Sequence, residues 1–358
     1  MEGSPIDIVV FAALAPLLGV LLFWFIQLLF IENQKYFLNK ISSKHQAFCR
    51  FTNFLGILFQ SLCHALGYTV TRSGISEFYI SVNYGRVAPK KEKKGVFEWI
   101  SNAFLFVGPF FIPAFLTLIV LYLFIPSGFS IVNPEKLIAF EYTFSGQLTI
   151  FGASLFNFGN KFFDFLTNLD LFHPAHLGFL FLLLFLGLGI RPSHIGEEKK
   201  SKVDMIYDLR NIWNLIYQKP LYLIILLSFS YLLFYISFFL NMHIYVAIFT
   251  VLGWLSIVSI VSLFISHLII LFIKTLDEIP RFWKYLPLFV LPLSYILARV
   301  LFFLFSIRDY TYSTSLFIML FSTFIVTFWL YKSKSDKFKT IREMKLLKKK
   351  TQRDADEP

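Results

Sequence analysis

Long apolar segments recur along the whole chain, and they constrain its fold more than any other feature of the sequence. A membrane-spanning α-helix needs about 20 consecutive apolar residues, because the hydrocarbon core of a bilayer is about 30 Å thick. Segments of this kind lie at about 7–31, 98–126, 173–190, 220–240, 243–273, 284–307 and 312–331. Only 15% of the residues are charged, whereas soluble domains carry about 25%. The sequence therefore predicts an integral membrane protein with these seven spans.

An eighth apolar segment, 47–70, differs from the others because polar residues interrupt it: Asn53, Gln60, Ser61, Cys63 and His64. Cytoplasmic loops are enriched in lysine and arginine, so the basic tail after Tyr331 predicts a cytoplasmic C-terminus. Loops 32–46 and 71–97 are both basic, which places both ends of the eighth segment on one side. This pattern favours a re-entrant or half-buried helix. The alternative is a normal crossing, with loop 32–46 departing from the rule.

Three other segments have a periodicity of their own. Residues 76–87 alternate in polarity around Asn83-Tyr84-Gly85, which is typical of a short β-hairpin. Residues 137–170 and 196–218 carry apolar stripes at helical spacing, which predicts interfacial amphipathic helices. In the first of these segments, glycines near 152 and 159 allow one helix or two. The predicted fold class is an all-α polytopic membrane protein with about seven to eight membrane helices, a small β-hairpin and interfacial amphipathic helices.

Changes in composition divide the chain into four predicted parts. Residues 1–126 form an N-terminal membrane core that includes the re-entrant or short helix and the hairpin. Residues 127–219 contain the interfacial helices and the central span. Residues 220–331 form a C-terminal bundle of four membrane helices. Residues 332–358 form the basic cytoplasmic tail, which begins as an amphipathic helix.

The eighth segment ends in His64-Ala65-Leu66-Gly67-Tyr68, which resembles the zinc-binding His-Glu-Leu-Gly-His helix of the site-2-protease family of intramembrane metalloproteases. The family motif matches at His64, Leu66 and Gly67. A short β-element follows the motif in the family, as the predicted hairpin does here, and Gly108-Pro109 stands where many members begin the next helix with Gly-Pro. The resemblance covers about residues 50–125. It implies a helical membrane core around His64.

The departures from the family motif bear on its chemistry. Two histidines one helical turn apart bind zinc in this motif, and the glutamate between them is the general base. Here Ala65 replaces the base and Tyr68 replaces the second histidine. The resemblance therefore implies a degenerate relative without active metalloprotease chemistry. No Asp-Gly pair supplies the distal ligand of the family, and the nearest analogues are His194 and Glu197. The candidate metal ligands are thus His64, His194 and Glu197, with zinc as the metal.

Other ionisable side chains within apolar segments are candidates because such groups are costly in a membrane and often functional. Cys63 lies about 100° around the helix from its neighbour His64, so these two do not form a metal site alone. Arg299 lies well inside a span, and no acidic partner for it occurs within the spans. His267 lies on the preceding span. The ordinary interpretation of both histidines is a hydrogen-bonded structural role.

Three functions stay open on this sequence. The first is a site-2-protease-like protein that binds membrane-embedded polypeptide or lipid without cleaving it, with the hairpin edge as the binding element. The second is a small-solute transporter or channel, lined by Arg299, His267 and His64. The third is a metal-dependent membrane hydrolase with a non-standard site at His64, His194 and Glu197.

The net charge of +11 bears on which partners the chain binds and where it is located. The positive charges cluster in membrane-flanking loops and in the tail, which favours anionic lipid as the partner over nucleic acid. A membrane protein is a further predicted partner. The predicted location is the plasma membrane, with several crossings and the C-terminus in the cytoplasm.

Overall fold

The structure is a computed structural model. It describes residues 4–82, 84–125, 142–190, 210, 213–214, 216–217, 219–279, 281–307 and 309–356. The side chains of residue 281 and of residues beyond 333 lie outside this description. The candidate ligands His194 and Glu197, and most of the predicted amphipathic helix at 196–218, also lie outside the described residues.

The described chain is predominantly helical, with one small sheet. After a π-helical turn at Asp7–Phe11, the elements are α1 (Leu14–Ile41), α2 (Gln46–Val70), β1 (Ile75–Ile80), β2 (Gly85–Pro89), α3 (Val96–Phe106), α4 (Gly108–Phe124), α5 (Phe144–Thr167), α6 (Pro174–Gly189), α7 (Pro220–Phe239), α8 (Ile244–Glu278), a 3₁₀ turn (Arg281–Tyr285), α9 (Leu286–Leu304) and α10 (Thr311–Asp356). Prolines occupy the first turns of α4, α6, α7 and α9. Their fixed φ suits that position and no hydrogen bond is lost there.

Five helices in the described part of the chain are long and apolar enough to span a membrane: Leu14–Ile41, Pro220–Phe239, Ile244–Glu278, Phe282–Leu304 and Thr311–Ser333. The helices α3 and α4 make a sixth if the pair counts as one span, although the pair is bent by 67°. The helix α6 is apolar but has only 16 residues, and α2 is not among the candidate spans. The structure thus supports a multi-pass membrane protein with five to six candidate spans, and it does not confirm the predicted count of seven to eight.

The chain divides into two compact units. The first contains Met1–Phe165 and Leu171–His267, and the second contains Leu166–Asp170 and Leu268–Pro358. In the second unit α9 packs against α10. Leu276, Ile279 and Leu330 form a buried apolar cluster there.

In the first unit, several helices approach one another at glycines. A Cβ atom on Gly19 of α1 would lie 2.3 Å from the Phe151 ring of α5, and one on Gly253 of α8 would lie 2.4 Å from Leu155. The apolar stripe of α5 is therefore buried against two candidate spans. As predicted, 144–167 forms a helix, and it continues unbroken through Gly152 and Gly159. Its placement along the membrane interface stays a prediction.

The predicted hairpin is confirmed as a two-stranded antiparallel sheet. Phe78 pairs with Val87, Tyr79 with Arg86 and Ile80 with Gly85. Gly85 seats the sheet on α2, because a Cβ atom there would lie 2.5 Å from Ser61 Oγ and 2.7 Å from Ile57 Cγ2. The hairpin thus packs directly on the helix that carries His64.

Candidate functional site

The helix α2 lies at the centre of the predicted site and packs against the bend between α3 and α4. Cys63 and Gly67, one helical turn apart, form the packed face. A Cβ atom on Gly108 would lie 3.0 Å from Cys63 Cβ, and one on Gly67 would lie 2.9 Å from Phe104 Cβ. The bend occurs where α3 ends and Gly108-Pro109 begins α4. The small side chains on both sides therefore allow the backbone of α2 to come close to the bend.

His64 lies on the neighbouring face of α2 and is half-buried. Its ring lies 4.3 Å from the Tyr68 ring, centroid to centroid. Its Nε2 atom is buried and has no hydrogen-bond partner among the described residues. A neutral imidazole nitrogen is able to accept a hydrogen bond or bind a metal.

Cys63 does not lie on the helix face that carries His64 and Tyr68. Its side chain is 1% exposed and lies against Gly108. These contacts make Cys63 a packing residue in this arrangement.

The metal site predicted at His64, His194 and Glu197 stays a prediction. Within the described residues, no three His, Cys, Asp or Glu side chains come together in a metal-binding group. His64 is accompanied by Tyr68, whose phenol is a poor zinc ligand at neutral pH, and the helix carries Ala65 in place of a base. The two other candidate ligands, His194 and Glu197, lie outside the described residues.

The hairpin beside α2 presents a backbone edge to which no other described strand is paired. Ser81 N donates to Tyr84 O at 2.9 Å, so residues 81 and 84 form a hydrogen-bonded pair. Such pairs alternate with non-bonded pairs along an antiparallel ladder. The backbone groups of Phe78 and Ile80 therefore point away from β2, to the outer edge of β1. The side chain of Phe78 is 46% exposed.

Arg299 and His267 belong to different units of the chain. No acidic partner for Arg299 was found within the spans, and the structure supplies one outside them: Arg299 Nη2 lies 3.5 Å from Asp170 Oδ2. Its guanidinium also lies 4.4 Å from the centre of the Tyr312 ring. Asp170 lies in the connection between α5 and α6, outside every apolar span, where the hydropathy pattern gives no sign of an ion pair. The structure thus gives Arg299 a structural ion pair.

His267 has neighbours on α1. Its Nε2 lies 3.4 Å from Asn33 Nδ2, and its ring makes an edge contact with Phe37, with the centroids 5.2 Å apart. Beside it, Gln34 Nε2 donates to Ser266 Oγ at 2.9 Å and to Gly187 O at 3.2 Å. The polar contact between α1 and α8 was not predicted from the sequence. A signal for it exists, since Gln27 and Gln34 are seven residues apart and therefore share one face of an otherwise apolar helix.

No protein-family model matches the chain, and it matches neither a curated protein nor a solved structure. The resemblance to the site-2-protease family therefore rests on the motif and on the order of elements around it.

Proposed function

We propose that this membrane protein binds an extended segment of a membrane-embedded polypeptide at the outer edge of β1 and does not cleave it. The observation that carries this proposal is the outer backbone edge of Phe78 and Ile80, which no described strand pairs and which belongs to the hairpin packed on the helix that carries His64. An exposed strand edge is a template for adding another strand, and strand addition is a common mode of peptide recognition.

Several features of β1 support this mode of binding. Every residue from Ile75 to Tyr79 is exposed, so a partner strand meets no covering side chains. Ile75, Phe78 and Tyr79 are among the large exposed apolar residues, which suits an apolar ligand. The other strand, β2, is fixed on α2 through the close approach of Gly85. The sheet is therefore held in place while one edge stays open.

The absence of hydrolysis follows from the side chains at the motif. General-base catalysis needs a titratable group within hydrogen-bond reach of the attacking water. Ala65 has none, and the Tyr68 ring packs against His64 where the family has its second histidine. We therefore propose a degenerate, non-proteolytic relative of the site-2 proteases. A metal-dependent hydrolase remains the alternative, and it requires zinc bound through His64, His194 and Glu197.

The membrane arrangement that goes with this proposal adds α2 and α6 to the candidate spans as shorter or re-entrant helices, which gives seven to eight membrane helices. The protein lies in the plasma membrane with its C-terminus on the cytoplasmic side, and anionic lipid contacts the basic tail. Lipid is the second ligand class proposed for the same surface.

Hydrogen exchange tests the binding mode at single amides. The protein is reconstituted in vesicles with a synthetic single-span peptide whose helix ends in an extended Val-Thr-Val segment at the headgroups. We expect the amides of Phe78 and Ile80 to gain protection with the peptide, because they point outward. The Tyr79 amide faces β2 and is already protected, so it reports that the hairpin is intact.

Two substitutions at one position separate backbone pairing from side-chain contact. Phe78→Pro removes the outward N–H while the pairing with β2 is kept, since proline is tolerated on an edge strand with its nitrogen facing out. Phe78→Ala keeps the N–H and removes the ring. We expect the proline variant to lose the peptide and the alanine variant to bind it more weakly. Equal binding by the proline variant and the wild type contradicts strand addition, and a cleaved peptide in the mass spectrum contradicts the non-proteolytic assignment.

A further inference from the structure

The helices α1 and α8 run parallel and side by side along most of their length. Near one end, the Tyr245 hydroxyl donates to Ala13 O. Near the other end, Gln34 Nε2 donates to Ser266 Oγ at 2.9 Å. Both pairs are separated by 232 residues, so the two helices keep one register between the contacts. The distance between these levels is about 20 residues, or about 30 Å at 1.5 Å per residue, which is the thickness of the hydrocarbon core.

Gln27 lies between these two contacts, on the face of α1 that meets α8. Residues seven apart share a helix face, and Gln34 marks that face by its bond to α8. Gln27 is 0% exposed. Neither Nε2 nor Oε1 of its amide has a hydrogen-bond partner among the described residues. The common register places Gln27 level with Ser259, near the middle of the span.

Other polar atoms that no described residue pairs lie within about one helical turn of this level, one on either side of it. Trp24 Nε1 and Ser262 Oγ are buried and also have no hydrogen-bond partner within the described part of the chain. The helix α4 reaches this level too, because Ser259 Oγ donates to Phe110 O at 2.9 Å and the Trp24 and Phe110 rings lie 5.9 Å apart. Three helices thus meet around a group of unpaired donors and acceptors.

The chemistry of these groups defines what would pair with them. Buried polar groups in a membrane are costly unless they are hydrogen-bonded. The Gln27 amide offers a donor and an acceptor, the Trp24 indole offers a donor, and the Ser262 hydroxyl offers both. None of these side chains is charged, so the complement is a neutral molecule that both donates and accepts.

We propose that α1, α4 and α8 enclose a binding site for small neutral hydrogen-bonding molecules, with Gln27, Trp24 and Ser262 as its contacts. Water is the smallest ligand of this chemistry, and buried water typically makes about three hydrogen bonds to such groups. A small amide such as acetamide shares the chemistry and is the second source. This site is independent of polypeptide binding at the hairpin, and each stands if the other fails.

The indole N–H of Trp24 is the probe of this site. The full-length protein is labelled with ¹⁵N at tryptophan and prepared in deuterated detergent, and the Trp24→Phe variant assigns the resonance. We expect a nuclear Overhauser effect between the Trp24 indole proton and water. In the Gln27→Leu variant the indole is kept, and we expect this effect to be lost. An effect to added acetamide, with none to water, assigns the site to the larger ligand.

Thermal stability gives a second readout that does not depend on the resonance. If Gln27 is paired with bound molecules, Gln27→Leu leaves the Tm unchanged or lowers it. If the amide is unpaired in a dry interior, the same substitution raises the Tm, because a buried polar cost is removed. Ser262→Ala is the milder variant, and we expect it to keep the fold and weaken the water signal. No effect to water or acetamide at Trp24, together with a raised Tm for Gln27→Leu, overturns the proposal.

Discussion

The close approach of α6 and α8 at Gly187 leads to the sharpest prediction about packing. A Cβ atom on Gly187 would lie 1.9 Å from the Ser262 carbonyl oxygen and 2.4 Å from its carbonyl carbon. Optimal separations of heavy atoms are about 3.5 Å, so Gly187→Ala forces the helices apart by about 1.5 Å. A side-chain rotation does not relieve this clash, because the opposing atoms belong to the backbone.

The magnitude follows from three contributions. Overpacking costs about 1–3 kcal/mol. The bond from Gln34 to Gly187 O is weakened, which adds about 1 kcal/mol. Alanine has a higher helix propensity than glycine, which offsets about 1 kcal/mol of this loss of stability. We expect Gly187→Ala to lower the free energy of unfolding by about 1–3 kcal/mol, and to lower the Tm by a few degrees.

The matched control lies on the same helix. A Cβ atom on Gly178 meets no heavy atom within 4 Å, so Gly178→Ala gains helix propensity without a clash. Both variants are compared with the wild type by thermal unfolding in detergent, followed by intrinsic fluorescence and size exclusion. If Gly187→Ala is as stable as Gly178→Ala, α6 and α8 do not approach as described.

Three further predictions use other contacts. The Ala65→Glu/Tyr68→His double variant introduces the His-Glu-Leu-Gly-His motif of the site-2 proteases, and we expect it to bind more zinc than the wild type in elemental mass spectrometry of purified protein. Equal zinc in both contradicts the proposed resemblance. Asp170→Ala leaves the partly buried guanidinium of Arg299 without this carboxylate, and we expect it to lower the free energy of unfolding by about 3 kcal/mol. In a double-mutant cycle, adding Arg299→Leu is expected to recover part of that loss, and additive losses argue against the ion pair. The side chain in Gly85→Val clashes with Ser61 and Ile57 of α2, so we expect faster hydrogen exchange in the hairpin and unchanged exchange in α8. Unchanged exchange in the hairpin argues against its close packing on α2.

The sequence predicted the features that depend on local pattern. The apolar segments became helices, and the alternation around Gly85 became the hairpin, because both patterns are read within a few residues. The span count depends on more than composition. The segment 98–126 bends by 67° where Gly108 begins a new helix, and 173–190 forms a helix of 16 residues.

Contacts between residues far apart in the sequence could not be predicted from local sequence patterns. The carboxylate that meets Arg299 is 129 residues away in sequence, in a short connection that carries no motif. The pairing of Gln34 with Ser266 joins α1 to α8 across 232 residues. A helix face shared by Gln27 and Gln34 was visible in the sequence. That Gln27 has no partner among the described residues depends on how the helices pack.

The last helix has a mechanical consequence. Of the 46 residues from Thr311 to Asp356, the first 23 form the candidate span, and the helix continues without interruption into the basic tail. Sharp kinks arise mainly at proline, glycine or inserted groups, and this helix contains no proline or glycine. At 1.5 Å per residue it is about 70 Å long, so its second half projects about 35 Å past the span as a stiff rod. Rotation or tilt imposed on the tail is therefore transmitted to the membrane portion of α10, and through it to α9, which packs against it.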